Sequence, residues 1–137
     1  MRSICADLVA WCQLTAGVKA FASKVPQLES LPCVLIYRPE ESESTQFLDG
    51  ENGDDQRTEK FRVEVHSVKA LEADTLAVSL HDALRNLTGL LKAGSELELE
   101  AVHADGFPSS DSLTTPDGTD VGVHLCGFPV TLFVKVA

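Results

Sequence analysis

The residues of this 137-residue sequence that could do chemistry crowd into 48–65, LDGENGDDQRTEKFRVEV. Asp49, Glu51, Asp54, Asp55 and Glu59 place carboxylates around two glycines, as a hard cation such as calcium requires. An EF-hand loop needs acids or Asn at its first, third and fifth positions, Gly at the sixth and Glu at the twelfth. Counting from Asp49, Gly53 falls at the fifth, Asp54 at the sixth and Lys60 at the twelfth, so the pattern fails. A solvated acidic turn is the better reading. His124 and Cys126 are two apart and would share one face of a strand, which is half of a zinc site. No paired spacing marks Cys33, His66 or His103 as the other half, so no metal site is predicted.

Other reactive side chains read as structural. Cys5 and Cys12 lie two helical turns apart, which suits core packing, and the four cysteines are scattered without a CxxC pair. Reduced, mostly buried thiols are expected. His81 sits beside Asp82 on what reads as the polar side of a helix and is expected to be exposed. The sequence contains no G-x-S-x-G, no GxGxxG and no GxxxxGK[ST]. Its carboxylates fall on strand faces and loops, where runs of charge serve solvation. No catalytic residue, cofactor or enzyme activity is predicted.

The elements that must carry these residues follow from hydrophobic spacing. Ile4, Leu8, Trp11 and Cys12 form the stripe of a helix of about three turns, stopped by Gly17. VKAFASKVPQLES has no clear period and reads as a connector framed by Pro26 and Pro32. CVLIY then suits a strand buried on both faces. The acidic stretch 40–57 can only connect strands over the surface. Thr58 to His66 alternates Phe61, Val63 and Val65 against Lys60, Arg62, Glu64 and His66, giving one core face and one polar face. Ala73, Leu76, Ala77, Leu80, Ala83, Leu84 and Leu87 follow helical spacing, with Ser67 as a cap and Gly89 as the C′ stop. ELELEAVH alternates as a strand with an acidic face, and 105–120 reads as a long polar excursion. In the last strand Val121, Val123 and Leu125 alternate in one phase and Val130, Leu132, Val134 and Val136 in the other. A bulge at Gly127-Phe128-Pro129 is expected to switch them. These elements predict a single α+β domain over 1–137, in the order α-β-β-α-β-β. Its sheet is mainly antiparallel, of about four strands, with helices packed on one face and long surface loops near 40–57 and 105–120.

The chain carries 21 Asp and Glu against 11 Lys and Arg, a net charge of −10, which argues against gripping nucleic acid or docking on anionic lipid. No apolar run is long enough for a bilayer, and Asp7, Trp11, Cys12 and Gln13 interrupt any signal-like core near the N-terminus. A soluble protein made in a cytoplasm is expected.

In order and spacing, LPCVLIY through FLDGENGDDQRTEKFRVEVHSVKALEADTLAVSLHDALRNL resembles the tail-completion, or tail-terminator, proteins of long-tailed bacteriophages and prophage-like elements. The shared features are a Leu-Pro entry to a strand, a loop ending in an Asp-Gly turn, and a basic residue before an alternating strand, here Arg57 and FRVEV. An Ala-rich helix with EADxLAxxxxxAL follows, and ELELEAVH and VGVHLCGFPVTLFVKV are similar to the family's last strands. The resemblance implies a structural virion protein of the tail, assembled in the host cytoplasm. Such a protein forms a homo-oligomeric ring, commonly a hexamer, at the head-proximal end of the tail tube. It stops tube polymerisation and meets the tail tube protein and the head-tail connector, with DNA passing through and no sequence-specific grip on it. On that reading Asp54, Asp55, Arg57, Glu59 and Arg62 are candidate subunit-interface residues, with Arg57 and Arg62 pairing with acids of an adjacent subunit. The alternative is a small monomeric or dimeric α+β module that binds a ligand or regulates a partner.

Overall fold

The computed structural model describes residues 4–22, 31–39, 45–48, 55–85, 87–95, 97–104, 106–114, 117–118 and 120–136. The chain runs through α1 (Ile4–Ala16), β1 (Lys19–Ala22), β2 (Cys33–Tyr37), β3 (Thr45–Leu48), β4 (Asp55–Ser67), α2 (Ala70–Leu84), β5 (Leu97–Ala104), β6 (Ser109–Thr114) and β7 (Asp120–Val136). Among the described residues the sheet has seven strands, with β1-β2-β4-β7-β5 as its path, β3 pairing with β4 and β6 with β7. This overturns the expectation of about four antiparallel strands in the order α-β-β-α-β-β. The sheet is mixed, because β1 pairs with β2 in parallel while every other pairing is antiparallel.

Each missed strand has a physical reason. The KAFA of β1 is four residues long and contains no β-branched side chain, so its own sequence carries little strand signal. It is held by pairing Lys19 to Cys33 through Ala22 to Ile36. β3, four residues inside an acidic stretch, and the polar β6 are edge segments held by pairing with strands already formed. β2 pairs with one half of β4 and β3 with the other, and β5 and β6 divide β7 in the same way. Long β4 and β7, of 13 and 17 residues, are therefore the spine of the sheet. At about 3.3 Å per residue they reach roughly 43 and 56 Å.

The expected bulge at Gly127-Phe128-Pro129 is absent from the pairing with β4, which runs in unbroken register from Gln56–Lys135 to Ser67–His124. The phase of apolar residues changes because the buried face changes. Cys126, Phe128, Val130, Leu132 and Val134 join the core beneath the helices. Leu125 is the register neighbour of His66, which pairs with Cys33, so these three lie on the opposite face. At that end Cys33, Leu35, His66 and Val123 are buried as well. The interruption lies instead on the neighbouring edge. Between the pairs Ala104–Val130 and Ser109–Gly127 that edge advances five residues while β7 advances three, so two residues bulge outward.

Both helices cover one face of the sheet. Ile4, Leu8 and Cys12 of α1 and Ala73, Ala77, Leu80 and Leu84 of α2 join Val34, Ile36, Phe61, Val63 and Val65 in one core. Ser67 precedes the first residue of α2 by three positions. The N-cap is Lys69 and not Ser67, but Ser67 Oγ accepts the Lys69 N–H at 3.0 Å and donates to Glu72 at 2.7 Å, so one hydroxyl ties the strand end to the first turn. The helix ends at Leu84, and Gly89, at φ 90°, instead makes a two-bond bridge to Leu99. His81 is buried, not exposed. It falls eight residues after Ala73, on the helix's buried stripe, and meets Phe128 edge to face at 5.0 Å.

Candidate functional site

Polar side chains gather most densely on the sheet face away from the helices. Strand alternation puts Arg62, Glu64 and His66 there, and β2 adds Tyr37, the register partner of Arg62. Glu64 accepts from Tyr37 Oη at 3.0 Å, Arg62 Nε at 2.8 Å and His66 Nε2 at 3.3 Å. Burial would raise the Glu64 carboxyl, but the hydrogen bonds from His66, Arg62 and Tyr37 outweigh it and hold it at about 2. The Tyr37 phenol is pushed up by its own burial and by the Glu64 charge. His66 is buried, and its Nδ1 has no hydrogen-bond partner among the described residues.

Gly127 makes the cluster possible. It is the register neighbour of Glu64, and a Cβ there would stand 2.7 Å from Glu64 Cγ and 2.7 Å from the Val63 carbonyl oxygen. Without that carbon, Glu64 lies flat over the strand and reaches three donors. Sequence reading placed Glu64 and His66 on a solvated face and missed this. The glycine two residues from Leu125, opposite an acid, was the available signal.

A second group lies on the helix-covered face near the start of α1. Buried Glu59 pairs with Arg38 at 2.5 Å, and the Arg38 guanidinium stacks over Phe61, 4.6 Å from its ring centre. Arg57 follows in the same phase and is half-buried, and its Nη2 is enclosed without a hydrogen-bond acceptor among the described residues. The candidate interface residues thus separate. Arg57 and Glu59 share the helix face, while Arg62 is on the other face, bonded to Glu64. Asp55 pairs through its backbone with Leu48, and Asp54 lies outside the described residues. So does the rest of the acidic connection at 49–54 that suggested calcium, although β3 and β4 on either side form an antiparallel pair.

The half-sites considered for zinc do not converge. His124 and Cys126 lie on the helix side of β7, and Cys33 and His66 lie on the far side of the sheet. Among the described residues no three His, Cys, Asp or Glu side chains gather as a metal site. Cys12, Cys33 and Cys126 are buried thiols, and burial pushes Cys12 up to about 12, far from a reactive thiolate. No helix among the described residues is long and apolar enough to cross a membrane.

A groove of about 450 Å³ opens beside the first turns of α2, lined by Val18, Pro32, Leu71, Thr75 and Leu76 with Lys69 at its rim. Phe107 stands between β5 and β6, where the edge carries two more residues than β7 opposite it, and is 87% exposed. Comparison of the chain with protein-family models and with curated proteins finds no match.

Proposed function

We propose that this chain is a tail terminator: a virion assembly protein that closes as a ring, commonly of six copies, on the head-proximal end of a tail tube. There it stops tube polymerisation and joins the tail to the head connector. The observation that carries the reading is the open sheet. Among the described residues the outer edges of β1 and β3 on one side of the sheet and of β6 on the other have no strand partner, and the edge of β5 is met only by the Gly89–Leu99 bridge, so each subunit offers two different edges for contact with copies of itself. The order of features behind the resemblance supports it: CVLIY is β2, FRVEV lies in β4 and EADTLAVSLHDAL lies in α2. The enclosed Arg57 Nη2 supports an acceptor supplied by an adjacent subunit. A net charge of −10 suits a channel through which DNA slides without being held.

Purified chain added to polymerising tail tube protein is expected to shorten the tubes and to appear as a ring at one end by electron microscopy. Tubes of unchanged length, together with a chain that stays monomeric by light scattering with and without tubes, would sink the reading.

A further inference from the structure

We propose that neighbouring subunits join by a knob and a groove: Phe107 of one copy seats in the groove between Val18, Pro32, Leu71 and Leu76 of the next. The inference rests on the ring reading and specifies its interface. Phe107 is 87% exposed on the β5–β6 edge, which carries two more residues than β7 opposite it. Gly106, at φ 64°, precedes it and Pro108 follows. An exposed phenyl ring on a constrained turn loses little freedom on docking and offers a large apolar area.

The groove has the complementary character. Its volume of about 450 Å³ accommodates a phenyl ring, and Leu71 on its wall is 78% exposed. Val18 and Pro32 lead into β1 and β2, so the groove lies at the opposite end of the strand order from Phe107. A knob and a socket on opposite edges cannot meet within one subunit. Repeated from copy to copy, they form a head-to-tail contact, which a rotation closes into a ring.

Charge selects a second copy as the occupant. On the knob's edge Asp111 is exposed and Glu98 and Glu100 share the single cation Lys135, whereas Lys69 lines the groove and Lys19 is exposed next to Val18, in a chain with only 11 basic residues. Glu72 also lines the groove, with one carboxylate oxygen engaged by Ser67. The acidic edge therefore approaches the more basic one, and two acidic edges repel each other.

The test uses the full chain, alone and with tail tubes. Phe107→Cys and Leu71→Cys variants are mixed and oxidised with copper phenanthroline, and the Phe107→Cys/Leu71→Cys double variant is oxidised by itself. The mixture is expected to give linked pairs, and the double variant a ladder that stops at the ring size. Phe107→Ser should weaken association by about thirtyfold, the loss typical of an interface anchor. As an exposed residue, it should leave the unfolding midpoint unchanged. Rings that form without cross-links, and that Phe107→Ser does not weaken, overturn this interface and leave the ring reading standing. A chain that is monomeric under both conditions overturns both. A species of two copies joined by two disulfides retains the contact and overturns the ring.

Discussion

Replacing Glu64 by Gln keeps the shape of the side chain and removes the charge that three donors share. In the native protein the Glu64 carboxyl is held at about 2, against an ordinary 4.5, because Arg62, His66 and Tyr37 together outweigh its burial. That difference corresponds to about 3 kcal/mol of folding free energy. The side chains of Arg62 and Glu64 retain 30% and 13% of their exposure, and screening by the remaining water lowers the figure to about 2 kcal/mol. Because the folded carboxyl is the stronger acid, the stabilisation is complete above pH 4.5 and is lost as pH falls toward 2. Glu64→Gln should therefore be about 2 kcal/mol less stable than the native chain at pH 7, read from urea unfolding followed by circular dichroism. The gap should narrow below pH 4.5 and nearly close by pH 2, with all other acids common to both chains. A gap of the same size from pH 7 to pH 3, or no gap at pH 7, would refute the argument that this carboxylate anchors the outer face.

The spine of the fold was legible because its signals are local. Phe61, Val63 and Val65 alternate in a strand and Ala73 to Leu84 recur at helical spacing, and both sets line the core. What could not be read depends on partners distant in the chain. Lys19 to Ala22 becomes a strand only because Cys33 to Ile36 offers a ladder, and Ser109 to Thr114 because β7 extends past β5. The largest misreading concerned the sheet's second face. Glu64 and His66 have the polar character of an exposed face, yet Cys33, Leu35 and Val123 are buried on that same face. The phase change along β7 was visible, and assigning it to a bulge concealed its meaning: one continuous strand contributes first to one buried face and then to the other. His81 shows the converse error. Residue type suggested solvent where position on the stripe dictated contact with Phe128. Of the candidate interface residues, Arg62 bonds Glu64 and one carboxylate oxygen of Glu59 bonds Arg38 within the subunit, so neither pairing could be read from residue type alone.

Three further substitutions and one labelling experiment probe the same features. Ser67→Ala removes both bonds that brace the first turn of α2 and should cost about 1 kcal/mol in urea unfolding. Ellman's reagent should label all four cysteines only in denaturant, since the Cys12, Cys33 and Cys126 thiols are buried. Rapid labelling of all four in the native state would contradict this packing. Arg57→Gln should change monomer stability by less than about 1 kcal/mol, because the enclosed Nη2 has no acceptor among the described residues, and should weaken ring assembly by about tenfold in sedimentation velocity. Gly127→Ala is the most direct test of the Glu64 cluster. The added carbon would lie 2.7 Å from Glu64 Cγ and equally close to the Val63 carbonyl oxygen, nearer than real side chains approach. Glu64 can swing aside only by leaving its donors, and the Val63 carbonyl is fixed by the β4–β7 ladder. Crowding of this kind costs about 1–3 kcal/mol. The part due to Glu64 should disappear when Glu64→Ala is combined with Gly127→Ala, and the part due to the carbonyl should remain. The double variant should therefore be more stable than the sum of the two single losses implies, by at least about 0.5 kcal/mol. Strict additivity would mean that Glu64 does not depend on the bare backbone at Gly127.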